Sequence, residues 1–206
     1  DTDLEAIAEH VGFPCFVKPA NMGSSVGITK AKDKDGLIEA IELAANYDNR
    51  ILVEKAVDAR EIECAILGND DLLASTLGEI IVGGEFYDFH DKYVNGVSMT
   101  QVPADLEDVK AAEIQQICEK AYKVLNCSGL SRVDCFVDRG SGDIYLNELN
   151  TLPGFTSISM YSEMMEASGV AYPELIERLI VLAFERFEDR NKNQIIFDSK
   201  SEWFKE

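Results

Sequence analysis

Two kinds of hydrophobic spacing alternate along the chain, and they predict its elements. Thr2 or Asp3 can cap a helix to about Val11, which Gly12 and Pro14 stop. Phe13 to Lys18 then reads as a strand entering a glycine-rich loop, with Gly27 to Ala31 as its hairpin partner. From Asp33 to Tyr47, Leu37, Ile38, Ile41 and Ala44/Ala45 recur at helical spacing with acidic residues outward. Ile51 to Glu54 follows as a short strand. Three further strands are predicted at Glu61 to Leu67, Leu72 to Ser75 and Leu77 to Val82, before a long loop at Gly83 to Gln101. A helix over Asp105 to Leu125 would set Val109, Ala112, Ile117, Ala121 and Val124 on its apolar side. Another, over Tyr172 to Phe187, would pack Leu175, Leu179, Leu182 and Ala183 into the core, and the residues from Ile195 onward are not clearly periodic.

Between the last two helices lie two alternating strands, Arg132 to Asp138 and Ile144 to Asn150, separated by Arg139-Gly-Ser-Gly-Asp143. Folding about Ser141 would set Asp134 opposite Glu148 and Arg132 opposite Asn150, all on one face because strand side chains alternate. Two facing carboxylates repel unless a cation, a shared proton or water intervenes. Asp134, Glu148 and Asn150 offer hard oxygen donors without Cys or His, a set that suits Mg2+ or Mn2+ better than Zn2+. A solvated acidic face is the plain alternative. The glycine- and hydroxyl-rich run Asn150-Thr-Leu-Pro-Gly154-Phe-Thr-Ser-Ile-Ser159 weighs against it, since such a loop can turn backbone N–H groups toward an anion.

Charge narrows the partners. The 206 residues include 19 basic and 38 acidic side chains, a formal net charge of -19, which argues against nucleic acid or an anionic membrane surface as the main partner. An anionic ligand would have to be held by a few placed cations and a divalent metal. Cys15, Cys64, Cys118, Cys127 and Cys135 are scattered and lack CxxC spacing, as expected of reduced cysteines in a cytoplasmic protein. No apolar run is long enough to span a bilayer and no signal peptide opens the chain. The start at Asp1, without Met, gives the chain the look of a piece of a longer protein.

A second constellation is Phe16-Val-Lys18-Pro-Ala-Asn-Met-Gly23-Ser24-Ser25-Val26-Gly27. Glycines and serines between two strands let backbone amides approach phosphate oxygens, and Lys18 supplies a cation. It is not a Walker A loop, because the GK[ST] ending is missing, and a plain flexible hairpin turn is the alternative. Ile51-Leu-Val-Glu54-Lys55-Ala-Val57 offers a strand edge for a base, Glu61 a carboxylate for ribose hydroxyls, and Lys92-Tyr93 a loop that can close over phosphates.

In this order VKPANMGSSVGI, EKAVDAREIECAILG, FYDFHDKY, SRVDCFVD and NELNTLPGFTSIS resemble the D-alanine-D-alanine ligases of the ATP-grasp superfamily, from about Phe13 to about Phe187. The resemblance implies an α+β ATP-grasp fold with nucleotide bound between two subdomains. Residues 1–56 would form the small subdomain with the phosphate loop, and residues 57–206 the larger one with the metal and second-substrate sites. The implied activity is ATP-dependent joining of two D-alanines through a D-alanyl phosphate, for peptidoglycan precursor synthesis.

Residue by residue, the resemblance gives Lys18 contacts to adenine and phosphates, and puts the Ser24/Ser25 loop over the transferring phosphoryl group. Glu54, Lys55 and Val57 would hold the adenine, with Phe86 and Phe136 as apolar walls, Glu61 on the ribose and Lys92 on a phosphate. Asp134, Glu148 and Asn150 would bind two Mg2+ ions, or Mn2+. Arg132 and the Gly154 backbone N–H would stabilise the tetrahedral oxyanion, and Ser159 with the Met160 backbone N–H would bind the carboxylate of the second D-alanine. The plainer readings pair Arg132 with Asp134 and make Ser159 a helix N-cap. Tyr93 after Lys92 would hydrogen-bond the phosphate-loop serine and favour an amino-acid second substrate, D-serine included.

The resemblance also implies an N-terminal domain and an upstream ATP-contacting lysine that this sequence lacks. It predicts a piece of low activity alone, monomeric where the full-length family member is a homodimer. Two rivals remain: another ATP-grasp carboxylate-amine ligase, and a non-catalytic acidic module binding Ca2+, which would leave Lys18, Lys92 and Arg132 without a role.

Overall fold

The computed structural model describes residues 3–81, 99–157 and 159–193. Helix α1 (Leu4–Val11) is capped by Asp3, whose carboxylate accepts from the Ala6 amide at 3.0 Å. A three-stranded antiparallel sheet follows, ordered β2 (Thr29–Ala31), β1 (Cys15–Pro19), β3 (Ile51–Lys55). Its register sets Phe16 beside Glu54 and Lys18 beside Leu52. Helix α2 (Lys34–Ala45) is capped by Asp33 and covers this sheet through Leu37, Ala40 and Ala44, which pack with Cys15, Val17 and Ala31. Ile38, 40% exposed, and Ala45 lie outside that face, contrary to the expected stripe. The buried row runs 37, 40, 44 because small alanines let the helix approach the strands closely.

A five-stranded sheet has the order β6 (Met99–Gln101), β5 (Leu73–Ile81), β4 (Ala59–Gly68), β7 (Gly129–Asp138), β8 (Ile144–Asn150). The two strands expected at 72–75 and 77–82 are one continuous strand, and the expected loop to Gln101 ends in β6, whose Met99, Thr100 and Gln101 pair with Ile81, Ile80 and Glu79. Ser75 and Thr76 interrupt the apolar alternation without interrupting the ladder. Their polar groups are used: Ser75 Oγ accepts from the Ala65 amide at 2.9 Å, and the Thr76 amide donates to Ser168 Oγ at 2.8 Å.

Contacts divide the chain into two compact units. The first is Asp1–Ile62, Glu79–Gln101 and Cys135–Tyr145; the second is Glu63–Gly78, Val102–Asp134 and Leu146–Glu206. The second is built on Ala65, Leu67, Tyr161, Met164, Met165, Val170 and Leu175. Here α3 (Asp108–Val124) buries Ile114, Cys118, Ala121 and Tyr122, whereas the expected Val109 and Val124 are 81% and 75% exposed. The face is rotated because Tyr122 directs its hydroxyl to the Gly68 carbonyl at 2.8 Å, giving a large side chain both burial and a polar partner.

Helix α4 (Met160–Ala167) was not expected as an element of its own. It sits against Gly78, where a Cβ would meet Met160 Cε at 2.5 Å, and Tyr161 donates to the Ile66 carbonyl at 3.0 Å. In α5 (Tyr172–Asn191) Leu175 is fully buried and Leu179 and Leu182 pack on the same core, but Ala183 is exposed beside Ile180, Phe184 and Phe187.

Candidate functional site

The carboxylate hairpin is turned by its own first strand. Asp138 Oδ1 accepts from the Gly140 and Ser141 amides, both at 2.7 Å, and Gly142 takes a positive φ of 74° while donating to the Asp138 carbonyl at 2.9 Å. Those bonds hold the Asp138 carboxyl below the usual carboxylate range.

In the second unit the four expected side chains do meet. Arg132 donates from Nε and Nη2 to the two oxygens of Asp134, each at 2.7 Å, a bidentate pair. Asn150 Nδ2 lies 3.0 Å from Asp134 Oδ2 and 3.1 Å from Glu148 Oε1. Asp134 is 2% exposed, while Glu148 is on the surface. A fifth member, Glu63 on β4, is 1% exposed and places Oε1 3.1 Å from Arg132 Nε. Burial would lower the guanidinium's affinity for its proton, but the bond to Asp134 and the charge of Glu63 more than offset this, and Arg132 is shifted upward.

One cation thus faces three carboxylates, Glu63, Asp134 and Glu148. The Asn150 amide bridges two of them at a point where a positive centre is favoured. An amide presents nitrogen or oxygen there by rotation of its end group, and Asp134, Glu148 and Asn150 then form an all-oxygen donor set suited to a hard divalent cation. Among the described residues no three His, Cys, Asp or Glu side chains converge as a metal-holding group.

The loop after Asn150 closes on itself. The Thr156 amide donates to Ser159 Oγ at 3.0 Å, Thr156 Oγ1 lies 2.9 Å from the same oxygen, and a Cβ on Gly154 would meet it at 3.3 Å. Ser159 stands at the N-cap position of α4 in extended conformation, but its hydroxyl makes no capping bond, and Met160 opens the helix. Arg132 and Asp134 form the expected pair, and Ser159 turns its hydroxyl toward the Gly154 loop.

In the first unit, Lys18 Nζ pairs with Glu54 Oε2 at 2.8 Å across β1 and β3, joining two of the expected nucleotide residues. The loop that follows Lys18 is held at both ends by the turn after α2. Asp48 Oδ2 accepts from the Asn21 backbone and side-chain nitrogens at 2.8 and 2.7 Å, and Ala20 donates to the Arg50 carbonyl at 2.9 Å. At the far end Gly27, with φ 75°, lies so close to Tyr47 that a Cβ would meet its ring at 2.7 Å. Between these points Ser24 and Ser25 both adopt left-handed backbone, φ 55° and 58°. Consecutive left-handed residues aim successive N–H groups in one direction, a conformation that suits an anion.

Lys55 ends β3 exposed, while Val57, Glu61 and Phe136 are half-buried. Phe86, Lys92 and Tyr93 lie outside the described residues. Glu63 was missed by sequence reasoning. Its signal was a charge inside the apolar run Ile62 to Leu67, which a central strand buries on both faces.

Comparison with known proteins identifies the family. A family model described as "D-ala D-ala ligase C-terminus" matches residues 1–181. A D-alanine–D-alanine ligase of Acetivibrio thermocellus is 53% identical over 189 residues, covering 92% of this chain and 50% of the relative. One from Thermoanaerobacter sp. is 51% identical over 192 residues, covering 91% and 54%. Among solved structures, the D-alanine-D-alanine ligase from Coxiella burnetii superposes with TM-score 0.80 at 38% identity, over 91% of this chain and 49% of that one. A D-Ala:D-Ser ligase from Enterococcus faecalis gives 0.78 at 39%, over 87% and 52%. The chain spans about half the length of the curated relatives it matches.

Proposed function

Given that this chain belongs to the D-alanine-D-alanine ligase C-terminal family and has its α+β ATP-grasp fold, we propose that it supplies the ATP-binding half of a ligase joining two D-alanines through a D-alanyl phosphate. The observation that carries the reading is the meeting of Asp134, Glu148 and Asn150 beside a bidentate Arg132. Peptidoglycan precursor synthesis in the cytoplasm is the setting we assign. Five free cysteines agree with a reducing compartment, and among the described residues no helix is long and apolar enough to cross a membrane.

Asp134, Glu148 and Asn150 would hold Mg2+ or Mn2+, two ions for a nucleotide, which supply charge neutralisation for phosphoryl transfer when bound. The backbone N–H groups around Ser24 and Ser25 would grip the transferring phosphoryl group, with Lys92 on a phosphate and Tyr93 bonded to the loop serine. Lys18 and Glu54 would face the nucleotide together, with Lys55, Val57, Phe86 and Phe136 around the adenine and Glu61 on the ribose. Residues 1–56 and 57–206 would be the two subdomains that enclose it. Arg132, whose Nε–Nη2 edge Asp134 takes, keeps Nη1 for the oxyanion that develops when an amine attacks the acyl phosphate; the Gly154 amide would donate to the same oxygen. Ser159 and the Met160 amide would take the carboxylate of the acceptor amino acid.

A D-Ala:D-Ser ligase matches the fold about as well as a D-alanine-D-alanine ligase, so D-serine stands as an alternative acceptor. Calorimetric titration of ATP into the chain, with and without Mg2+, tests the site. Binding should require Mg2+ and weaken by about 10- to 100-fold in Glu148→Gln; Mg-independent binding, equal in the variant, would overturn the assignment. Competition between D-alanine and D-serine in a protein of the relatives' full length that carries this chain then identifies the acceptor.

A further inference from the structure

Of the three carboxylates around the Arg132 side chain, the ligase reading, on which this inference rests, gives Asp134 and Glu148 a role and leaves Glu63 without one. Asp134 takes both the Nε and Nη2 edges at 2.7 Å. The same carboxylate is needed as a cation ligand, and oxygens drawn toward a divalent ion hold an arginine less firmly. Glu63 lies on a different strand, is 1% exposed, and sits 3.1 Å from the same Nε. A carboxylate buried in the middle strand of a five-stranded sheet costs desolvation energy that the fold alone has no reason to spend, because an apolar residue would fill the position at lower cost.

We propose that Glu63 is a positioning residue that keeps the Arg132 guanidinium aimed when Asp134 is shared with a cation. The Nε–H of Arg132 donates to Asp134, and Glu63 Oε1 stands 3.1 Å from the same nitrogen as an ion-pair partner. When Asp134 is drawn toward a cation, the Glu63 charge still holds the guanidinium in place, so Nη1 stays directed at the same point. Arginine is suited to this because its fork is rigid, whereas a lysine ammonium would swing to whichever carboxylate remained.

The test follows the Arg132 Nε–H by 15N NMR in the full chain, with and without Mg2+, in wild type and Glu63→Gln. Glu63→Gln keeps size and most hydrogen-bonding capacity but removes the charge. The Arg132 Nε–H should exchange with water about tenfold faster or more in the variant, with the larger difference in Mg2+. Exchange equal to wild type in both conditions would overturn the proposal. A merely structural role would lower the melting temperature and leave this signal alone.

In a protein of the relatives' length that carries this chain, kcat should fall about 10- to 100-fold while the KM for ATP changes little; an unchanged kcat, or a loss confined to KM, would also overturn it. If wild type shows no ATP-dependent ligation, the ligase reading fails, and the NMR exchange still decides the role of Glu63. Should Glu63→Gln not fold, Glu63→Asp, which keeps the charge but withdraws it by one methylene, is read by the same signal and should move it the same way.

Discussion

The glycine-serine loop of the first unit and the carboxylate cluster of the second are held in place by opposite means. The loop from Ala20 to Ile28 is short of side-chain burial and is held by backbone bonds, a glycine contact and one accepting carboxylate, Asp48. The cluster is rooted in strands, with Glu63 and Asp134 nearly inaccessible and Arg132 locked between them. A loop held mainly by backbone bonds can adjust its shape, whereas side chains rooted in paired strands stay at a fixed point.

The sharpest way to break this comparison is to remove the one cation from the strand cluster. Arg132→Met leaves Glu63 and Asp134 buried without their guanidinium and should cost about 3–5 kcal/mol in urea unfolding, because an uncompensated buried charge is left behind. A cost near zero would mean that the cluster is solvated and no more rigid than the loop.

In the loop the contact to test is Gly27 on Tyr47. Gly27→Ala adds a methyl group 2.7 Å from the Tyr47 ring and 2.9 Å from Pro19 at a positive φ, and should destabilise by about 1–3 kcal/mol. Gly23→Ala, with open space around the added carbon, should stay within about 0.5 kcal/mol. Equal effects at the two glycines would mean that the Tyr47 contact does not fix the loop.

The smallest effect is electrostatic and visible only against pH. Asp48 is held below its ordinary range chiefly by the Arg50 amide, only partly countered by desolvation, with further help from Asn21. A carboxylate with a depressed folded pKa adds stability above its unfolded value and loses it as pH falls through the folded one. Asp48→Asn should therefore flatten part of the acid limb of stability measured between about pH 5 and pH 2, and leave its shape near neutrality unchanged. An acid limb as steep as that of wild type would show that the loop clamp does not depend on the charge.

Local signals were read well where chemistry and geometry are both local. Asp3, one of two candidate caps, does cap its helix, and the expected glycine-bearing turn does join the two alternating strands, with Gly142 at positive φ. The meeting of Arg132, Asp134, Glu148 and Asn150 was legible because alternation alone puts them on one face. Errors came where a partner far along the chain decides. The buried face of α3 turns toward Gly68, α2 presents Ala40 rather than Ile38, and α4 forms because β5 has a glycine at residue 78 to receive Met160. None of these partners is visible within a helical turn of the residue it controls.

By itself, the sequence settled the hairpin of alternating strands, its hard-oxygen character and the kinship that its motifs carry, since all three depend on residue type and spacing. Tertiary structure alone decided that Glu63 joins Arg132 and that Asp48 and Tyr47 hold the glycine-serine loop. Those contacts join residues 20 to 69 positions apart in the chain. No periodicity records such distances; only the packing of strand on strand and turn on loop brings the groups together.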